Sequence, residues 1–238
     1  MAHEKIEAPS HARHGQAPAT SEAIEDYLKA IYALSRRAQG PVHNGDLAQR
    51  LGVSPATTTA MLKRLDGLGL VRYRPYKGVT LTDAGEKGAL EVIRHHRLLE
   101  SYLSEALGMP WDRVHAEAEV LEHYISEELE ALIAAKLGNP SRDPHGDPIP
   151  GPDLSPPGEE GLPLAELATG ASATFSRVSD SDPDMLRYLA RHGITPGVVL
   201  TVTSRQPFGG PIFVSVGGEE HPMGGELVNR IIVSEGRQ

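Results

Sequence analysis

Apolar positions along the chain first recur with a helical period after Ser21. Ile24, Leu28 and Ile31 follow one another at intervals of three and four residues, and Ser21 is the predicted N-cap. Residues 1–20 show no such period and are rich in Ala, Pro and His, so we predict a disordered tail there. The ordered chain is therefore predicted to begin with an amphipathic helix.

Two short helical segments and an alternating segment follow. Residues 44–53 and 54–70 have helical apolar spacing, and Ser54–Pro55 between them combines a capping hydroxyl with a proline at the first helical position. Residues 70–82 alternate apolar and polar positions around a Pro/Lys-Gly turn, which predicts a β-hairpin. The order predicts a winged helix-turn-helix over residues 21–83.

The next region, residues 84–150, is predicted to be helical. Asp83 and Glu86 form a capping-box pattern that opens a long helix to about Ala106. A second long helix is predicted from about Trp111 to Leu137, with its aliphatic face against the first. The facing positions are Leu98, Leu99 and Leu103 against Val120, Leu121, Ile125, Leu129 and Ile133.

In the C-terminal part of the chain the spacing of apolar residues changes from a helical period to the alternation typical of β-strands. Residues 151–162 form a Pro/Gly-rich linker, and residues 163–238 contain short alternating segments separated by glycine turns. These segments predict a small β-barrel. The fold class is therefore mainly α with a β C-terminal domain.

Composition narrows the class of protein. The chain has 238 residues, 39% of them hydrophobic and 23% charged, and it contains no cysteine. These values are typical of a soluble globular protein, and they exclude disulfides and thiolate zinc sites. No run is long enough for a transmembrane helix. We expect a cytoplasmic protein with no membrane partner.

Charge is unevenly distributed and indicates a DNA surface. The net charge is −9, yet residues 47–81 carry six basic residues against one aspartate. A basic patch on a helix-turn-helix is typical of DNA binding. A winged helix used for protein contacts is the alternative. The candidate DNA-binding residues are Pro55, Ala56, Thr57, Thr58, Thr59, Lys63, Arg64, Arg72, Arg74 and Lys77.

The helical region contains an acidic stripe with two imidazoles. His115, Glu119, Glu122 and His123 lie at one-turn spacing, His96 and Glu100 form a matching pair, and no lysine occurs between Lys87 and Lys136. A divalent cation would relieve the repulsion, and its ligands would be carboxylate oxygens and imidazole nitrogens. An acidic surface and a paired-carboxylate hydrolase site are the other interpretations.

These motifs together resemble one family. The order of winged helix, RHHRLLESYL, VHAEAEVLEH and DPHGDPIPG is similar to the metal-dependent repressors of the diphtheria toxin repressor and manganese transport regulator type, over residues 21–153. The resemblance implies a homodimer in which metal binding aligns two DNA-binding domains on a palindromic operator. It implies regulation of metal uptake genes.

The resemblance also implies two metal sites. The primary site would use Asp26, Glu119, Glu122 and His123, and the second site His96, Glu100 and His115. Asp26 and Glu119 stand where the iron regulators carry methionine and cysteine, so Mn(II) is the expected metal and Fe(II) the alternative. Manganese regulators often carry a further acid at the position of Lys29. Because this chain has lysine there, the resemblance implies one ion in the primary site.

The C-terminal domain is similar to the SH3-like (FeoA-like) domain of the iron-dependent branch, which donates ligands to the second site. A gapless alignment puts Asp182 and Met185 on the ligand positions, and a small slip would use Asp180 or Asp184. An Asp-rich turn that caps a helix explains the same residues.

Two functions of other classes stay open beside the metal-responsive regulator. One is a metal-independent winged-helix DNA binder. The other is a metallohydrolase, for which the sequence supplies neither a nucleophile nor an oxyanion loop. We therefore expect a protein that is not an enzyme.

Overall fold

The computed structural model describes residues 22–37, 40–158 and 161–234. The predicted tail at residues 1–20 and the predicted cap Ser21 lie outside these residues. Eight helices and eight strands, together with a short 3-10 turn at Leu164–Glu166, make up the described chain. They form a winged-helix region, a helical region and a β-sheet region in that order along the chain.

The predicted winged helix-turn-helix is confirmed. Its elements are α1 (Glu22–Arg37), α2 (Asn44–Leu51), α3 (Pro55–Gly67), β1 (Val71–Arg74) and β2 (Gly78–Leu81). The Ser54 side chain accepts a hydrogen bond from the Thr57 N–H at 3.1 Å, which begins α3 where the capping pattern predicts it. The two strands pair antiparallel and form the hairpin of the wing, with Val71 and Val79 in the winged-helix core.

The winged-helix core joins this region to the next one. Ile31, Leu47, Leu62 and Leu65 are fully buried together, and Leu90 from the following helix belongs to the same cluster. The helix that opens the helical region therefore begins within the winged-helix core.

The helical region consists of three helices rather than the predicted two. They are α4 (Asp83–Glu105), α5 (Val114–Leu121) and α6 (Glu127–Lys136). The N-cap of α4 is Thr82, whose hydroxyl accepts from the Gly85 N–H at 3.2 Å, and not Asp83 of the predicted capping box. Among the described residues, no helix combines the length and apolarity needed to cross a bilayer.

The single long helix predicted from Trp111 to Leu137 is wrong. The chain breaks after α5, and Ser126 caps α6 by accepting a hydrogen bond from the Leu129 N–H at 3.3 Å. Acidic residues occupy the first turn of α6, where their negative charge stabilises the positive end of the helix dipole. Val120, Leu121 and Leu129 are 62%, 40% and 48% exposed and are not buried against α4 as predicted. Ile133 lies in one buried cluster with Leu98 and Leu99, as predicted.

The β region is an open antiparallel sheet. Its strands are β3 (Leu162–Pro163), β4 (Ser172–Val178), β5 (Val199–Arg205), β6 (Ile212–Val216), β7 (Glu219–Met223) and β8 (Ile231–Ser234), in the order β3-β8-β4-β5-β6-β7. Helices α7 (Pro183–Arg191) and α8 (Gly225–Arg230) cover it. Among the described residues the two edge strands do not pair with each other, so the predicted closed barrel is corrected to an open sheet of SH3-like type.

A turn at residues 143–147 joins the helical region to the sheet. The Val178 N–H of β4 donates to the His145 carbonyl at 3.0 Å. Gly146 has φ +87°, and a Cβ built there would lie 2.0 Å from the Ser176 carbonyl oxygen. Only glycine therefore allows the turn to approach β4 this closely.

Candidate metal centre and nucleic-acid interface

A first cluster joins the winged helix to the helical region. Asp26 comes from α1, whereas Glu122 and His123 come from the end of α5 and the turn that follows it. His123 Nε2 lies 3.2 Å from Asp26 Oδ1 and 3.8 Å from Glu122 Oε1. One donor atom from each residue falls within 4.8 Å of the other two, as a shared ion requires. The structure thus brings together three of the four predicted primary ligands.

The fourth predicted ligand, Glu119, is engaged elsewhere. Its Oε1 accepts a hydrogen bond from Lys29 Nζ at 2.6 Å, and the same ammonium lies 2.9 Å from both oxygens of Glu122. Burial acts to lower the pKa of Lys29, but Glu122 and Glu119 outweigh this effect and raise it. Lys29 is therefore a charged partner of Glu119 at neutral pH.

A second cluster brings together His96, Glu100, His115 and Asp180. His96 Nε2 lies 3.0 Å from Glu100 Oε1 and 3.0 Å from His115 Nδ1. His115 Nδ1 lies 3.1 Å from Asp180 Oδ2, a carboxylate that follows β4 in the sheet region. The three predicted ligands of the second site are thus adjacent, and the sheet region supplies a fourth donor.

That fourth donor is Asp180 and not the predicted Asp182. The Asp182 side chain accepts a hydrogen bond from the Met185 N–H at 3.1 Å and caps α7, while the Met185 side chain packs against the core of the sheet region. Asp184 pairs with Arg187 on the same helix. The helix-cap interpretation of Asp182 therefore describes its position in the structure.

Glu100 also faces a third group that the sequence reasoning missed. Glu100, Asp143 and His145 place donor atoms within 4.8 Å of one another, and all three are buried. Glu100 Oε2 and His145 Nδ1 have no hydrogen-bond partner among the described residues and lie 3.6 Å apart. Two buried lone-pair donors that face each other in this way call for a cation or a shared proton between them.

Tertiary contacts fix the ring orientation of three histidines. His123 Nδ1 donates to Glu25 Oε2 at 2.6 Å, His96 Nδ1 forms a short hydrogen bond with Glu122, and His145 Nε2 donates to the Trp111 carbonyl at 2.7 Å. In each ring the other nitrogen faces a cluster. Metal-binding histidines are held in this way, by a carboxylate or carbonyl behind the ring.

The carboxylates of the second cluster attract positive charge, and in the absence of a metal ion this charge is carried by protons on the two imidazoles. Burial acts to lower the pKa of His96, but Glu100 and Glu122 raise it to about 9. Burial likewise acts to lower the pKa of His115, while Asp180 and Glu100 raise it to about 10. Both imidazoles are protonated at neutral pH, so a divalent ion must displace a proton from each nitrogen that it binds. The donors are oxygen and nitrogen only, which fits Mn(II) or Fe(II).

The face of α3 and the wing present the predicted basic patch. Lys63, Arg64, Arg72, Arg74 and Lys77 are all exposed. A cavity of about 480 Å³ lies between α3 and the wing. It is lined by His43, Asn44, Gly45, Thr59, Lys63, Tyr73, Pro75, Tyr76 and Gly78.

The predicted contact residues at the start of α3 divide into two groups. Pro55, Ala56 and Thr57 are exposed and Thr59 is half-buried. Thr58 is completely buried and its hydroxyl donates to the Ser54 carbonyl at 3.2 Å. The prediction that Thr58 contacts DNA is therefore corrected: it is a core residue.

An apolar groove lies on the helical region between α4, the α5–α6 turn and α6. Its volume is about 490 Å³. Leu107, Tyr124 and Leu132 line it and are 62%, 71% and 62% exposed. Patches of this kind on soluble proteins mark interaction surfaces.

Family profiles match nearly the whole chain. Residues 19–79 match "Iron dependent repressor, N-terminal DNA binding domain", and residues 82–151 match "Iron dependent repressor, metal binding and dimerisation domain". Residues 162–235 match "FeoA domain". The iron-dependent repressor IdeR of Mycobacterium leprae (strain TN) is 32% identical over 227 residues, which cover 90% of this chain and 97% of that protein.

The chain belongs to the iron-dependent repressor family.

Solved structures in this family share the fold. A structure described as a manganese-dependent transcriptional repressor in complex with manganese is 43% identical, with a TM-score of 0.83 over 89% of this chain and 99% of that chain. ScaR with bound Zn²⁺ is 32% identical with a TM-score of 0.76, over 89% of this chain and 99% of that one. As a member of this family, the chain is a metal-dependent, DNA-binding transcriptional repressor and not an enzyme.

The residues that the sequence reasoning missed come from tertiary contacts. Glu25 lies behind His123, and Asn44 Nδ2 donates to the Thr59 hydroxyl at 2.8 Å beside the cavity between α3 and the wing. Asp143 and His145 stand in the DPHGDPIPG run, to which the sequence analysis assigns no ligand. The signal available in the sequence was His145, which follows Asp143 by two residues.

Proposed function

We propose that this protein is a manganese-responsive repressor in which an ion at Asp26, Glu122 and His123 couples the winged helix to the helical region. One observation supports this most directly. Asp26 lies on α1 of the winged helix, whereas Glu122 and His123 belong to the helical region, so the three donors span the junction. An ion bound there contributes its binding free energy to one relative orientation of the two regions.

The metal chemistry follows from the donors. Asp26, Glu122 and His123 would hold the primary ion, and His96, Glu100, His115 and Asp180 would hold the second. A bound divalent ion would supply positive charge among carboxylates that otherwise repel one another. Because both sets offer oxygen and nitrogen without sulfur, Mn(II) is the favoured metal, and Fe(II) would be accepted with similar geometry.

A second copy of the chain would cover the apolar groove. Residues 82–151, which contain the groove, match a dimerisation domain. A dimer with two-fold symmetry presents two copies of α3, so the operator would be an inverted repeat with half-sites separated by a helical turn. The genes controlled would serve metal uptake, and the protein would act in the cytoplasm.

The decisive experiment removes Asp26 alone. DNA sites are first selected from a random pool with the wild-type protein and Mn(II), and operator affinity is then measured by fluorescence anisotropy with and without Mn(II). Asp26→Asn should lose most of the stimulation by Mn(II) while its affinity without metal stays at the wild-type level. Coupling of this kind changes affinity by about 5–150-fold.

Asp46→Asn is the matched control, since Asp46 is an exposed carboxylate on α2 of the same region. It should respond to Mn(II) as the wild type does. Equal operator affinity of the wild type with and without Mn(II) would instead establish a metal-independent winged-helix DNA binder. Repeating the titration with Fe(II) and Zn(II) ranks the metals.

A further inference from the structure

Lys29 projects from α1 into a group of metal-type donors on the helical region. Its Nζ lies 2.6 Å from Glu119 Oε1 and 2.9 Å from each oxygen of Glu122. His96 Nδ1 is 3.3 Å away. The Lys29 side chain is only 17% exposed, so the ammonium is enclosed by these three residues.

The three residues around Lys29 are close enough to one another to bind a single metal ion if the ammonium were absent. His96, Glu119 and Glu122 place one donor atom each within 4.8 Å of one another, the same condition that the two proposed metal clusters meet. The ammonium therefore occupies a position where a divalent ion would otherwise find an imidazole and two carboxylates.

Charge balance at the junction supports the same interpretation. Asp26, Glu119 and Glu122 bring three carboxylates close together at this junction, with Glu122 shared between the two donor groups that contain Asp26 and Glu119. One ammonium and one divalent ion neutralise three carboxylates completely. Two divalent ions beside the ammonium would leave two positive charges in excess in a partly buried place, which is unfavourable.

We propose that Lys29 is a tethered cation that permanently fills the position between His96, Glu119 and Glu122 and links the winged helix to the helical region without metal. This inference rests on the proposed function and adds to it. The position takes no divalent ion in the wild-type chain. Part of the contact between the two regions is independent of metal, because Lys29 lies on α1 and both glutamates lie at α5.

Two measurable consequences follow. First, replacing the ammonium by a carboxylate opens the position and adds a fourth ligand to it, so Lys29→Glu should bind one more Mn(II) per chain than the wild type. Second, the same substitution breaks the metal-independent link, so operator affinity measured with a chelator present should fall by roughly tenfold, which is within the range of about 5–150-fold for coupling between sites.

The test compares four proteins by equilibrium dialysis against Mn(II), with metal measured by mass spectrometry, and by anisotropy on operator DNA with chelator. Lys29→Arg keeps the charge and should keep the wild-type metal ratio. Lys87→Glu makes the same charge change at an exposed position of α4 and should match the wild type in both measurements. Only Lys29→Glu should gain an ion.

Each other outcome is informative. A Lys29→Glu protein that is folded and binds as many ions as the wild type overturns the proposal. If thermal unfolding shows that Lys29→Glu does not fold, Lys29→Gln takes its place. This substitution removes the ammonium from between His96, Glu119 and Glu122, and an unchanged metal ratio is equally decisive against the proposal. If the operator affinity of the wild type is the same with and without Mn(II), the proposed function is refuted. The number of metal ions bound by each variant still decides the role of Lys29.

Discussion

His123 donates its Nδ1–H to Glu25 of α1 at 2.6 Å, across the junction between the winged helix and the helical region. This contact leaves Nε2 directed at Asp26, 3.2 Å away. A carboxylate behind a ligating histidine fixes the ring and raises its basicity. Glu25 thus prepares His123 for a metal without being part of the cluster.

Glu25→Ala should therefore weaken Mn(II) binding at the first cluster by about 10–100-fold while leaving its ligands intact. Isothermal titration with Mn(II) measures the effect. Glu117→Ala, an exposed glutamate on α5, is the matched control and should bind as the wild type does. Unchanged Mn(II) affinity of Glu25→Ala would mean that His123 needs no orienting partner.

Asp180 and Asp182 should separate metal binding from helix stability. Asp180→Ala should reduce Mn(II) affinity of the second cluster, because the sheet region then contributes no donor beside His115. Asp182→Ala should lower the free energy of unfolding by about 1 kcal/mol through loss of the α7 cap, without a change in metal binding. Titration calorimetry and denaturant unfolding read the two effects. The reverse pattern would restore Asp182 as the ligand.

Gly146→Ala should undock the sheet from the helical region. The new Cβ would meet the Ser176 carbonyl oxygen at 2.0 Å, and the left-handed backbone adds strain. We expect a loss of about 3 kcal/mol or more in the free energy of unfolding. Faster proteolysis in residues 151–158 should accompany it.

Gly170→Ala is the control for backbone strain, because Gly170 has φ +85° and a Cβ there would meet nothing within 4 Å. It should cost only about 1 kcal/mol. If both variants lose the same stability, the close approach of the turn to β4 is not required.

Leu132→Asp should prevent dimer formation through the apolar groove. Leu132 is 62% exposed in the single chain, so the charge is tolerated by the monomer but not inside an apolar interface. Sedimentation velocity should show a monomer of unchanged stability. Val199→Asp, at a 57% exposed valine of β5, should leave the dimer intact. A dimeric Leu132→Asp protein would place the interface elsewhere.

Arg64→Ala should weaken binding to all DNA sequences alike. Arg64 is exposed in the last turn of α3, and a lost phosphate contact reduces the salt dependence of log affinity by about 0.9. Arg191→Ala, an exposed arginine of α7, should not change the salt dependence. An Arg64→Ala effect confined to one base position would identify a base contact instead.

The sequence alone predicted the elements that local chemistry decides. The apolar period of α1, the Ser54–Pro55 start of α3 and the alternation around the wing are each encoded within one or two turns of chain, and all three are confirmed. The family resemblance rested on equally local runs of acids and imidazoles. Helix spacing put His96 beside Glu100 because residues four apart share a face.

Only the tertiary structure decided which of those groups meet. The burial of Thr58 depends on α1, whose Tyr27 hydroxyl lies 3.5 Å from the Thr58 hydroxyl. The choice of Asp180 over Asp182 depends on how the turn at Gly146 docks on β4. Lys29 reaches Glu119 across 90 positions of sequence. Contacts of that separation arise from packing between regions, and no local pattern of residues specifies them.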